Sequence, residues 1–304
     1  MERHEFGQLL AALRKEHIDE EGKQWTQEKL AQVAELAPEI VGNIERGRRT
    51  HFKAEMLVKL AAALNLTNAE RRELLLAANP VEEQHMARAS DDVQTVFNDI
   101  VHRISQTPQP AYLLDVYCDI LACNDIALKL LDLTPDQLQD RTYQPVAAAN
   151  MMRFVFAPEF ARSAAEIMGE RWHAYTQYHM ALFKQLTLRY RTQPYFANLI
   201  AELRQWPLFR RYWFQLSHET PEALLETEDI HVRASSQGDI AYFPTSLTIM
   251  TSKGNLFLYV YVPSDEATAA IFQEISQHTP RQAYCFGSWP EKIVPPARER
   301  CVGE

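Results

Sequence analysis

The side chains with the clearest chemical bias in this 304-residue chain are cations gathered around one glycine. Arg46, Arg48, Arg49, His51 and Lys53 flank or follow Gly47. Clustered guanidinium groups suit phosphate oxygens, which they can pair bidentately. Just upstream stand Glu39 and Asn43, whose side chains can read base edges: Asn pairs with adenine and Glu accepts from cytosine. Gln27 opens the preceding helix, where free N–H groups and the helix dipole favour a phosphate. The candidate DNA-binding residues are therefore Gln27, Glu39, Asn43, Arg46, Arg48 and Arg49. No arginine precedes Arg46 on this face, so the expectation is a modest base code with affinity resting on backbone contacts.

Other chemistries are sparse. The nine glycines include no phosphate loop, and there is neither a nucleophile elbow nor an HExxH motif. His173 and His179 lie off the i, i+4 spacing that would bring two helical ligands together. Cys118, Cys123, Cys285 and Cys301 are too scattered for a disulfide framework, and Cys118 and Cys123 lack the second pair a zinc site would want. No catalytic residue, metal or cofactor is assigned, and the chain is not expected to be an enzyme. No apolar run approaches the ~20 residues that span a bilayer, and "MERHEFGQLL" lacks a signal-peptide layout. The expected location is the cytoplasm, without membrane insertion. The net charge of −9 argues against a wholly basic surface. Residues 1–79 hold 12 Lys and Arg against 13 Asp and Glu, so nearly all the excess acid falls on the remainder.

The elements that must position the cations can be read from periodicity. Phe6, Leu9, Leu10 and Leu13 form the stripe of an amphipathic helix. After an acidic loop, Trp25 and Leu30 have the spacing of a hydrophobic staple about an N-cap at Thr26. A helix over 27–35 ends before Pro38, which opens a third ending at Gly47. Leu36, Val41 and Ile44 face inward; Pro38, Glu39, Gly42, Asn43 and Arg46 face outward. Helices over 53–65 and 68–78 follow, the second with a capping box from Thr67 to Glu70. The spacing of 27–47 predicts a helix-turn-helix, whose second helix enters the major groove. Residues 1–80 thus form an all-α domain, 81–91 a linker, 92–280 a second domain and 281–304 a tail. In the second domain "PAYLLD" and "DILACN" predict two strands, helices dominate 124–225, and strands over 229–235, 239–251 and 255–263 close it. The fold class is an all-α helix-turn-helix domain followed by an α+β, PAS-like domain: a five-stranded antiparallel sheet with helices on one side.

Two resemblances bear on function. "TQEKLAQVAELAPEIVGNIERGRR" resembles the helix-turn-helix of lambda-repressor-like, XRE-type regulators at Gln27, Leu30-Ala31, Ile44-Glu45 and Gly47. Ala37 replaces the usual cap, and the loop before Thr26 is long and acidic. "PAYLLDVYCDILACN", "NMMRFVF", "WHAYTQYHMALFKQL" and "FRRYWFQ" resemble the C-terminal domain of MmyB-like regulators, with Asp115, Asp119, Asn124 and Asn150 among the matching positions. Cys123 stands where that family tends to have Trp. The resemblance implies a dimeric transcriptional regulator that responds to a hydrophobic or lipid-like small molecule.

The candidate ligand-binding residues are Tyr112, Leu114, Arg153, Phe154, Phe156, Trp172, Tyr175, Trp213, Ile249 and Leu258. Expected partners are double-stranded DNA, a second copy of the chain and the ligand. Two alternatives stand beside this reading: a constitutive DNA-binding regulator whose C-terminal domain only dimerises, and a haem-binding sensor or enzyme in that domain.

Overall fold

The computed structural model describes residues 1–49, 51–78, 92–139, 146–217, 231–235 and 238–292. The helices are α1 (Arg3–Lys15), α2 (Gln27–Val33), α3 (Pro38–Glu45), α4 (Ala54–Ala63), α5 (Asn68–Ala78), α6 (Val93–Gln106), α7 (Asp125–Leu130), α8 (Pro135–Gln139), α9 (Met151–Phe156), α10 (Pro158–Met168), α11 (Arg171–Thr187), α12 (Pro194–Leu203), α13 (Pro207–Gln215) and α14 (Glu266–Gln277). A 3-10 turn, Leu188–Tyr190, follows α11. The strands are β1 (Ala111–Leu114), β2 (Ile120–Asn124), β3 (His231–Ser235), β4 (Gly238–Ile249), β5 (Leu256–Pro263) and β6 (Ala283–Cys285). Two compact units divide the chain: residues 1–89, 155–196 and 206–229 in one, and 90–154, 197–205 and 230–304 in the other. They cut across the linear division at residues 81–91, because helices from the middle of the chain pack with the N-terminal ones.

Among the described residues, the regular elements of the first unit are helices. The α1 stripe of Phe6, Leu9, Leu10 and Leu13 is buried together with Leu30, Val41, Ile44, Leu57, Leu60 and Leu74. Thr26 caps α2 by accepting the Lys29 N–H at 3.1 Å. The acidic loop closes as a small turn: Ile18 pairs with Gln24, and the Asp19 carboxylate accepts the N–H groups of Glu21 and Lys23. Leu188, wholly buried, belongs to the same core as α1 to α5. The helix-turn-helix core is therefore completed by a residue more than a hundred positions downstream.

The second unit is built on an antiparallel sheet in the order β3-β4-β5-β1-β2-β6. The five expected strands form, and β6, from the segment read as a tail, adds a sixth at the β2 edge. The expectation of helices on one side needs correction. Phe97, Ile100 and Ile104 of α6 pack with Leu113 and Leu121 on one face. Ile126, Leu128 and Leu130 of α7, with Phe272 and Ile275 of α14, pack with Tyr112 and Tyr259 on the other. A strand such as "LFLYVYVP", apolar at both alternating sets of positions, requires cover on both faces. The polar residues Asp115, Asp119, Asn124 and Asn150 are buried at the hairpin. Asn124 Oδ1 accepts the N–H groups of Ala111 and Ala127. Asn150 Nδ2 donates to Asp119 at 2.7 Å, and Lys292 Nζ pairs with Asp119 at 2.6 Å and also with Asp115. Burial drives the Asp115 carboxyl up to about 6, with Asp119 adding and Lys292 opposing.

Candidate nucleic-acid interface

The recognition helix is short and is held at both ends by backbone geometry. Glu35, at φ +53°, ends α2, with the Leu36 N–H reaching the Ala31 carbonyl at 2.9 Å. Pro38 starts α3, where its missing N–H removes a bond that no helix would make. Gly47, at φ +67°, ends it: the Gly47 N–H donates to Ile44 O and the Arg48 N–H to Asn43 O, both at 2.9 Å. This Schellman closure turns the chain so that Arg48 and Arg49 leave immediately behind the helix.

A buried polar network orients α3. Arg14, on α1, forks onto Glu45 at 2.7 and 2.8 Å and also donates to the Trp25 carbonyl. Gln27 Nε2 donates to the same carboxylate at 2.6 Å. One carboxylate thereby ties the end of α3 to both α1 and α2, and bidentate pairing fixes direction as well as distance. The Gln27 amide is thus a strut between helices, and its Nε2 is committed to Glu45. Gly42 also departs from expectation. It is buried rather than outward: a Cβ there would stand 3.0 Å from the Arg46 guanidinium and 3.1 Å from Gln27 Oε1. Missing that side chain lets Arg46 and Gln27 close over the helix.

The remaining predicted DNA-binding residues are brought together. Glu39, Arg46 and Arg48 are exposed, and Asn43 and Arg49 are half-buried. Arg46 Nη2 donates to Asn43 Oδ1 at 3.2 Å, one helical turn away. Arg49 Nε donates to the His51 carbonyl at 3.2 Å. The surface can place cations against two phosphates while Asn43, once released by Arg46, presents an amide to a base edge. Two contributors were invisible in the sequence. Arg14 and Glu45 are 31 positions apart, and nothing local signals their pairing. Gly7 allows α1 to approach the end of α3 so closely that a Cβ would lie 2.5 Å from the Ile44 carbonyl oxygen.

Residues 93–275 match the MmyB-like transcription regulator ligand binding domain. The chain belongs to the MmyB-like transcription regulators. Residues 5–74 match a helix-turn-helix domain. No curated protein sequence matches the chain. This MmyB-like regulator accordingly joins a DNA-binding helix-turn-helix to a ligand-binding domain. Among the described residues, no helix is long and apolar enough to cross a membrane, and no group of three or more His, Cys, Asp or Glu side chains could hold a metal ion.

The ten residues singled out for the ligand fall in several places. Tyr112, Leu114 and Phe154 belong to one face of the sheet, where Tyr112 stacks on Tyr259 with centroids 5.2 Å apart. Ile249 and Leu258 lie on the opposite face, beneath α6. Arg153 Nη1 donates to the carbonyls of Gln137 and Ala148, at 3.1 and 2.9 Å. Phe156 and Trp213 are in the first unit, packed on Phe209 from its edge and its face. Trp172 and Tyr175 stack on each other along α11, half-buried. The two histidines considered as ligands are hydrogen-bonded: His173 Nδ1 to the Tyr212 hydroxyl at 2.6 Å, His179 Nδ1 to the Tyr175 carbonyl at 2.9 Å.

Proposed function

We propose that this regulator reads a specific operator as a cytoplasmic homodimer and is controlled by a hydrophobic or lipid-like small molecule in its PAS-like domain. The observation that carries the DNA half is the Arg14–Glu45–Gln27 network, which holds α3 with Asn43, Arg46, Arg48 and Arg49 on one surface. A single short helix makes few contacts, so two half-sites about one DNA turn apart are the natural target. Control is then a population shift: a ligand that binds one dimer geometry better favours that spacing. The apolar sheet face around Tyr112, Leu114 and Phe154 supports an apolar ligand, because such pockets are lined by aromatic and aliphatic groups.

A second reading has its own support. On that face Tyr112 stacks on Tyr259 and meets Tyr261 edge-on, and Tyr242 stacks on Tyr261 at 4.0 Å. Side chains of the chain itself occupy this surface, which favours a domain that only dimerises. Native mass spectrometry of the purified protein separates the two. A dimer carrying a co-purifying apolar molecule supports ligand control; a dimer of bare chain mass, unchanged by added lipid, supports the second reading; a monomer contradicts both.

A further inference from the structure

In the first unit, helix-turn-helix residues and α11 and α13 frame a cleft of about 320 Å³, whose lining includes none of Glu39, Asn43, Arg46, Arg48 or Arg49. Leu13, Leu64 and Leu66 line one side and Trp213 and Leu216 the other, with Lys184 and Arg191 also lining it. Those two cations are buried, with side chains 8% and 2% exposed. The wholly buried carboxylate of Glu70 stands against both. It already accepts the Thr67 N–H at 2.9 Å and a bond from Arg191 Nη2. Glu16, at 3.4 Å from Arg191, is the more exposed partner at 22%.

The donors outnumber what these partners satisfy. Arg191 Nε is buried and has no hydrogen-bond partner. Lys184 Nζ reaches the carbonyls of Leu216 and Trp213 only at 3.2 and 3.4 Å, and Glu70 at 3.5 Å. A buried donor left unmet is costly in a low dielectric, and of the two carboxylates facing these cations only Glu70 is wholly buried. One further carboxylate would meet that donor. The walls beside it are apolar, and Ile18 and Phe214, 62% and 57% exposed, extend that surface outward.

We propose that this cleft is a second ligand site, taking a small organic monoanion with an apolar body. Its carboxylate meets Arg191 Nε and Lys184 Nζ, and its hydrocarbon lies along Leu64, Leu66 and Leu216. Because the cleft is built jointly by the helix-turn-helix and by α11 and α13, occupancy stiffens the seat of the DNA-binding helices. The site is independent of the apolar ligand proposed for the PAS-like domain, so either can fail alone.

The test is calorimetric titration of the full-length protein with hexanoate and its neutral isostere hexanamide, up to about 10 mM. Saturable hexanoate binding is expected, with hexanamide weaker by about tenfold or more. Lys184→Met should weaken hexanoate similarly. Phe214→Asp, at the exposed mouth, should do so by repulsion without touching the buried cations, and decides the matter should Lys184→Met misfold. Absence of saturable hexanoate binding, equal binding of hexanamide, or affinity untouched by Phe214→Asp overturns the site. Loss of binding in Tyr112→Ala but not in Phe214→Asp would place hexanoate in the PAS-like domain and overturn it equally.

Discussion

Replacing Glu70 with Gln should cost about 3 kcal/mol of stability, the lower end for removing one partner of a buried ion pair. The side chain is wholly buried and stands against Arg191 and Lys184, both nearly buried themselves. Glutamine keeps the shape and can still accept the Thr67 N–H, so the capping box survives and the loss isolates charge. Two cations would then face only the partly exposed carboxylate of Glu16. The assay is urea unfolding of the full-length protein followed by tryptophan fluorescence, because Trp213 lies against both cations. The second substitution Lys184→Met removes one orphaned charge and should restore at least about 1 kcal/mol, a coupling of the size expected for residues in contact. The pH dependence has a definite sign. Burial pushes the Glu70 carboxyl up, but Lys184, Arg191 and the bonds from Thr67 outweigh it and hold the group below its ordinary value. Its contribution is therefore present above the unfolded pKa, about 4.3, and is lost as pH falls through the folded one. A Glu70→Gln loss below about 1 kcal/mol, or strict additivity with Lys184→Met, would refute the picture of a shared buried carboxylate.

Further outcomes follow from other sites. Gly7→Ala should destabilise by about 1–3 kcal/mol in the same urea titration, since its Cβ would collide with backbone oxygens of Ile44 and Glu45. His17 is held below its ordinary value chiefly by burial, with the Leu64 carbonyl and Glu16 opposing and Lys184 and Arg191 assisting. The melting temperature should therefore fall as pH drops below about 6.5, and His17→Gln should flatten that limb. Asn43→Ala should relax preference at one base position, worth about 1–3 kcal/mol in competition between operator variants.

The helix-turn-helix was legible because its periodic stripes are long and its caps are chemical. Phe6, Leu9, Leu10 and Leu13 are buried, and the Thr67–Glu70 capping box forms in both directions. That same carboxylate also carries Arg191, a pairing across 121 positions that no local pattern announces. The α6 helix went unread although Phe97, Ile100, Val101 and Ile104 have helical spacing and Asp92 caps it. Strand β6, three residues long, shows no period to find. The ligand residues were harder for a physical reason. In strands apolar on both faces, alternation does not say which set faces which helix, so Tyr112 and Leu258 were grouped although they lie on opposite faces. Aromatic residues on α9, α11 and α13 carry the family resemblance, yet Phe156 and Trp213 pack on Phe209 in the first unit.

The most direct test of the DNA-binding account is the salt dependence of duplex affinity for the full-length protein and for Arg48→Ala and Arg49→Ala. Each substitution should weaken binding on every sequence alike and shallow the slope of log K against log salt by about 0.9, one phosphate contact apiece. Unchanged affinity and slope at low salt when both arginines are lost would contradict it.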